Sequence, residues 1–264
     1  MIRIFKAGLL VTLALLLSNC ATSPTGQKQL KLFPDNEINK MGITAYEEMK
    51  QTTPVSKDAK INAYVTCVAK AITREVPAQT SWELTVFDDK AVNAFALPGG
   101  KIGVYTGLLK VTENQDQLAA VIGHEIAHVI AEHGNARISA AYATQTGLQL
   151  AQMMAGAASP EKSQLFGLLG LGAQVGVLLP YGRGQESEAD MLGLQYMARA
   201  GFDPKESVNL WINMGKASGG KQPPELLSTH PANQTRINDL KNAMPAAKQA
   251  FKQARSKGKQ PACG

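Results

Sequence analysis

The chain has 264 residues, of which 44% are hydrophobic and 18% charged, and its formal net charge is +6. It is long and apolar enough for one substantial core or two small domains, which excludes a disordered chain. The basic excess is not interleaved with aromatic residues and accompanies no nucleic-acid motif, so nucleic acid is excluded as a partner.

Residues 1–19 form a segment of their own. Arg3 and Lys6 give a positive start, and Ala7 to Leu17 is an apolar run too short to span a bilayer, the layout of a secretory signal. The run ends in Leu17-Ser18-Asn19-Cys20, which resembles the lipobox of bacterial lipoproteins, although Asn19 departs from that pattern. The expectation is cleavage before Cys20, lipid attached to it, and a site at the periplasmic face of the outer membrane, since Ala21 rather than Asp follows the cysteine. An ordinary signal with a chance cysteine is the alternative. Cleavage removes Arg3 and Lys6 and takes the charge from +6 to 6 − 2 = +4. If Cys20 carries lipid, Cys67 and Cys263 remain as a pair in an oxidising compartment, and a disulfide between them pins the C-terminal tail to an N-terminal helix. Two unrelated thiols are the alternative.

After a polar linker over residues 20–33, a domain is expected over 34–245. Ile38, Met41, Ala45, Tyr46 and Met49 recur at helical spacing, and so do Ile61, Tyr64, Val65, Val68 and Ile72. Trp82, Leu84 and Val86 alternate with polar residues as in a strand. Ala91 to Leu97, the turn Pro98-Gly99-Gly100 and Ile102 to Thr106 read as a hairpin, giving a small antiparallel sheet. Thr112 and Gln115 make a capping box for a helix that ends at Gly134. Residues 138–157 and 160–179 are rich in Ala, Gly, Leu and Met and read as buried helices or a helical hairpin covering the site. A helix from about Gln185 stops at Gly201, and Asp203, Pro204 and Glu206 supply the cap, first-turn proline and capping-box acid of the next. Residues 246–264 are a basic tail that reads as solvated and flexible, with contact to anionic lipid head groups as the alternative. The sum is an α+β domain, mostly helical, with one short sheet.

The chemistry centres on His124-Glu125-Ile126-Ala127-His128. A helix turns about 100° per residue, so His124 and His128 share a face and can reach one ion, with Glu125 beside them as a general base for a water. A catalytic zinc takes three protein ligands and leaves a fourth position open. His133 lies five residues past His128, rotated about 140° around the helix, and reads as a helix-end histidine. Glu186 and Asp190 are four apart, so Glu186 can bind the metal while Asp190 accepts the other ring N–H of a ligand histidine. Spacing alone leaves a solvated acidic face equally open.

These segments resemble a known family. The HEIAH segment, the stretch Arg183 to Asp190, and Ser228-Thr229-His230-Pro231 with Arg236 are similar to the zinc peptidases of the HtpX and CAAX prenyl protease family. Asn93 to Gly100 resembles that family's strand and turn beside the active site, and the short chain with its lipoprotein-like start resembles the periplasmic, LoiP-like branch. The resemblance implies a gluzincin-like zincin domain holding one Zn2+ on His124, His128 and Glu186, with Glu125 as general base and Asp190 behind the ligands. It implies that His230 approaches the metal from a later loop, either to stabilise an oxyanion or to fill the fourth position at rest, and that Arg236 orients His230 or Glu186. Asn93 and Phe95 are expected to meet substrate, Phe95 also being open to a core role. The implied activity is an endopeptidase acting on unfolded or misassembled envelope polypeptides, held at the membrane through lipid on Cys20. A periplasmic binding or assembly factor for outer-membrane proteins is the alternative.

Overall fold

The computed structural model describes residues 20–77, 81–154, 178–217 and 234–264, together with Leu169, Leu226 and His230. The signal segment and nearly all of Leu165 to Leu179 lie outside the described residues. The chain divides into two compact units, residues 1–37 with 132–183, and residues 38–131 with 184–264. Among the described residues there are seven α-helices and five strands.

In the first unit, β1 (Cys20–Thr22) pairs antiparallel with β2 (Lys28–Leu30). Gly26 turns the chain between them at φ +93°, a left-handed conformation that glycine adopts without strain. The stretch expected to be a linker is therefore ordered, and it docks on a helix, α4 (His133–Met154). Leu32 N–H donates to Ser139 Oγ at 2.9 Å, Asn135 Nδ2 donates to the Phe33 carbonyl at 2.8 Å, and Phe33 meets the edge of Tyr142. These contacts bury only the first part of α4. Leu150, Met153 and Met154 are exposed, contrary to the expectation of a buried helix. No described helix is long and apolar enough to cross a membrane.

The second unit contains the core. Helix α1 (Asp35–Thr52) buries Ile38, Gly42 and Tyr46, a spacing of four that aligns one face, while Met41 turns to solvent. Helix α2 (Ala59–Thr73) starts where the Asp58 carboxylate accepts N–H groups from Lys60 and Ile61, and it buries Val65, Val68 and Ile72. The sheet has the order β3 (Glu83–Phe87), β5 (Lys101–Tyr105), β4 (Ala94–Leu97). The β4–β5 hairpin forms as expected, with Gly99 and Gly100 at φ +84° and +75°. The sheet is mixed rather than antiparallel, however, because β3 runs parallel to β5. The segment after β3 carries the chain past the neighbouring position, so β5 returns between β3 and β4. Alternation within β3 identifies a strand but not the direction of its partner.

Helix α3 (Gln115–Ile130) begins two residues later than the expected box, with Asn114 as the cap and its side chain accepting Gln117 N–H. It ends at Ile130 rather than Gly134, because Glu132 takes φ +56° and the next helix starts at His133. Helix α5 (Leu179–Ala200) does stop at Gly201, which sits at φ +93°. In α6 (Glu206–Ala217), Asp203 caps as expected by accepting Lys205 N–H. Glu206 does not close the box. It accepts instead from Asn114 Nδ2 at 3.0 Å and Gln117 Nε2 at 2.9 Å, tying the start of α6 to the start of α3. Helix α7 (Gln234–Ser256) runs through Pro245 and buries Ala247 and Ala254, so much of the expected flexible tail is packed helix. Beyond it, Cys263 forms a disulfide with Cys67 of α2, and Gln115 grips the same segment by donating to the Pro261 carbonyl and accepting Cys263 N–H.

Candidate active site

Helix α3 brings His124, Glu125 and His128 to one end of the core, α5 brings Glu186 and Asp190, and His230 and Arg236 come from just before and within α7. All seven side chains are buried. The two histidines of α3 lie one turn apart, and their Nε2 atoms are 3.1 Å from each other. Glu186 Oε2 is 3.3 Å from His124 Nε2, and its Oε1 is 3.4 Å from His128 Nε2. His230 Nδ1 joins the group at 3.2 Å from His124 Nε2 and 2.8 Å from Glu186 Oε2.

A tetrahedral ion with bonds of about 2.05 Å holds its ligand atoms about 3.3 Å apart. The observed separations therefore match the edges of such a shell, and all four ligand atoms lie within 4.8 Å of one another. Three imidazole nitrogens and a carboxylate this close would repel through their lone pairs unless a cation or a proton sat among them. Burial alone lowers the His124 pKa, but hydrogen bonds to Asp190 and Glu186 outweigh it and raise the pKa to about 9. Burial pushes Glu186 upward, but hydrogen bonds from the three histidines hold it far below the usual carboxylate range. Three imidazoles and a carboxylate at these separations are a donor set that fits zinc.

Behind this group lies a second layer. Asp190 Oδ1 accepts from His124 Nδ1 at 2.9 Å. Arg236 grips Asp190 with two bonds, Nε to Oδ2 at 2.6 Å and Nη2 to Oδ1 at 2.8 Å. Burial raises the Asp190 pKa, but the Arg236 and His124 contacts win and keep it depressed. Arg236 Nη1 also donates to the His230 carbonyl at 3.1 Å and lies 3.4 Å from Glu186 Oε2, while the guanidinium stacks 4.2 Å from the Trp211 ring centroid. Arg236 thus touches three of the expected site residues, Asp190, His230 and Glu186.

Glu125 is 3% exposed, and its Oε1 has no hydrogen-bond partner, although His230 Nε2 lies 3.5 Å away. A buried carboxylate oxygen without a partner is costly, and such atoms concentrate where a ligand or reacting group completes them. An apolar pocket lined by Val121, Leu194, Met197, Leu210 and Met214 borders Glu125.

The structure does not bring every expected residue to this group. His133 begins α4 and is absent from the four-donor set. Asn93 is buried just ahead of β4 with its Oδ1 unpartnered. Phe95 packs against Phe87 and Tyr105 over Gly103, in an aromatic cluster on the sheet rather than at the donors. The largest feature missed by the sequence reading is a glycine crossing. A Cβ at Gly193 would lie 2.7 Å from His124 N and 2.8 Å from Gly123 C, and one at Gly123 would lie 2.9 Å from Gly193 O. Helices α3 and α5 thus touch backbone to backbone at the residue before His124 and three residues after Asp190. That close approach allows the short Glu186 and Asp190 side chains to reach the histidines. Gly123 and Gly193 were the available signal, each one helical turn or less from a chemical residue.

Known proteins are similar to this chain in sequence. The chain is 41% identical over 169 residues to the mitochondrial metalloendopeptidase OMA1 of Schizosaccharomyces pombe, covering 63% of this chain and 48% of that protein. It is 30% identical over 213 residues to the beta-barrel assembly-enhancing protease of Yersinia pestis, covering 76% of this chain and 43% of that protein. The protein of the same name from Escherichia coli is 28% identical over 210 residues, covering 76% of this chain and 42% of that protein. The chain therefore spans about half the length, or less, of these relatives. The model of Peptidase family M48 matches residues 56–244, most of the chain, and the protein belongs to that family.

Proposed function

We propose that this protein is an endopeptidase that cuts unfolded or misassembled cell-envelope polypeptides, with His124, His128 and Glu186 holding the zinc ion and Glu125 acting as general base. The observation that carries this reading is the buried Glu125 carboxylate, whose Oε1 lacks a partner beside the donor cluster. A purely structural zinc site gives no reason to bury a carboxylate there.

When bound, zinc lowers the pKa of a water toward about 7 and polarises the scissile carbonyl. Glu125 Oε1 takes the proton of the attacking water and returns it to the leaving amide nitrogen. Asp190 fixes the His124 tautomer by accepting Nδ1–H, which leaves the Nε2 lone pair facing the cluster. Arg236 keeps Asp190 ionised and steadies the backbone of His230. His230 Nε2, near Glu125, is placed to donate to the negative charge that grows on the carbonyl oxygen. An extended polypeptide adds to the outer edge of β4, which packs on α3. Backbone pairing of this kind requires an unfolded segment, so it selects misfolded clients without reading their sequence.

The lipobox-like Leu17 to Cys20 supports lipid on Cys20 and a place at the periplasmic face of the outer membrane, as in a LoiP-like branch. The bacterial relatives' name, which joins protease to β-barrel assembly, supports envelope substrates. The same name gives weight to a second reading, in which the groove holds outer-membrane proteins during assembly with little cleavage. Purified protein is offered an outer-membrane β-barrel polypeptide in unfolded and folded forms, with and without chelator. The proposal expects chelator-sensitive cleavage of the unfolded form alone. Binding without cleavage selects the assembly reading, and equal cleavage of the folded form overturns the selectivity argument.

A further inference from the structure

Away from the active site, α6 and α7 enclose a groove of about 390 Å³ lined by Lys205, Val208, Asn209, Lys241, Met244, Pro245 and Lys248. Its floor is apolar and its rim carries three ammonium groups. None of these three lysines has a carboxylate within ion-pair distance among the described residues. The asymmetry continues along α7. Lys241, Pro245, Lys248, Lys252 and Arg255 are spaced four, three, four and three apart, which sets them on one exposed face of the helix. From Leu240 to Gly264 the sequence has six basic residues, Lys241, Lys248, Lys252, Arg255, Lys257 and Lys259, and no Asp or Glu. Of these, Lys259 is paired with Glu75. A helix face evolved only for solubility would mix the two signs, which also supports the helix through pairs one turn apart.

We infer that this groove and the basic face of α7 form a docking surface for an anionic phospholipid bilayer. The charge complementarity is direct: lysines near a membrane surface contribute about 1 kcal/mol each through the potential of anionic lipids. The groove adds a recess where a phosphate head group meets Lys205, just ahead of α6, and Lys241 and Lys248 of α7, beside apolar Val208, Met244 and Pro245. The docking is independent of lipid on Cys20 and would hold the second unit against the membrane whichever way the chain's beginning is anchored.

The test uses zinc-loaded protein carrying Cys20→Ser, so that no acyl chain contributes, and phosphatidylcholine vesicles with and without phosphatidylglycerol. Co-sedimentation is expected only with phosphatidylglycerol present. It should fade as salt rises from about 0.01 M to about 1 M, where the Debye length shrinks from about 30 Å to 3 Å. The combined change Lys205→Gln, Lys241→Gln and Lys248→Gln should weaken the binding about 100-fold, from three contributions of about 1 kcal/mol. The corresponding Lys→Arg variant should bind like the parent. Peptidase activity on a soluble unfolded substrate should be retained in both variants, which reports that they are folded. Equal binding to both vesicle types, no binding by the parent, or full binding by the Gln variant each overturns the inference.

Discussion

Replacing Gly193 with alanine tests how tightly the fold must hold α3 against α5. The new Cβ would sit 2.7 Å from His124 N, 2.8 Å from Gly123 C and 2.9 Å from His124 Cα, all of them backbone atoms that no rotamer change can move. Ordinary contact begins near 3.4 Å, so the helices must part by about 0.7 Å. Zinc bonds tolerate only about 0.2 Å of error. Two of the proposed ligands, His124 and His128, ride on α3 and the third, Glu186, rides on α5, so the displacement falls directly on the donor group. Overpacking costs about 1–3 kcal/mol, offset by about 0.5–1 kcal/mol from alanine's better helix propensity, which leaves a modest loss of stability. The loss at the site is larger: about 10–100-fold in zinc affinity, and about 100-fold in turnover at saturating zinc. Zinc affinity by competition with a chromophoric chelator, thermal denaturation and peptide hydrolysis measure the three quantities. Gly147→Ala is the control, because a Cβ there meets nothing within 4 Å. It should leave zinc binding unchanged. Parental zinc affinity and turnover in Gly193→Ala would refute the claim that the glycine crossing sets the ligand geometry.

Other perturbations follow from the same structure. Arg236→Met leaves the Asp190 carboxylate buried without its guanidinium, a loss of about 3–5 kcal/mol; a melting temperature within error of the parent would contradict this. Arg236→Lys should recover little, since an ammonium cannot reproduce the Nε and Nη2 fork. Zinc affinity should depend on pH through His124. Because its pKa is raised to about 9, the metal-free protein carries the proton below that value and zinc must displace it. Affinity measured by calorimetry should then rise about tenfold per pH unit toward pH 9 and level off above it; a flat profile from pH 7 to 9 would be inconsistent with the hydrogen bonds drawn here. Replacing both Cys67 and Cys263 with serine opens a loop of 196 residues. Loop entropy gives about 5 kcal/mol and typical losses are about 2–5 kcal/mol, so melting should fall by roughly 10 °C.

Much of this site was readable from single residues, and the unread part has a physical explanation. The spacing of His124 and His128 states their common face, and Glu186 with Asp190 repeats the interval, because helical periodicity is local. The pairing of Cys67 with Cys263 was also within reach, since removing Cys20 leaves one combination. What periodicity cannot express is the distance between two helices. The sequence offered two candidate faces, and only Gly123 against Gly193 makes them meet. Strand direction failed for a related reason: alternation in β3 is the same for parallel and antiparallel neighbours. Glu206 left its capping box because Asn114 and Gln117 donate to its carboxylate from another helix, whereas at Thr112 the cap passed to Asn114, two residues on, while the threonine hydroxyl turned back to the Leu108 carbonyl. Met153 and Met154 show that a run of uncharged residues is not by itself a buried helix.

In the proposed function, one zinc site and one carboxylate base perform the cleavage. The most direct measurement is zinc content and hydrolysis of an unfolded polypeptide in Glu125→Gln, beside the parent with and without chelator. Glutamine keeps the shape of the side chain and removes its basicity. The account predicts one zinc per chain retained in Glu125→Gln, a fall in turnover of about 10²–10⁴-fold, and loss of parental activity on chelation that returns with zinc. Undiminished cleavage by Glu125→Gln, or by the chelated parent, would contradict it.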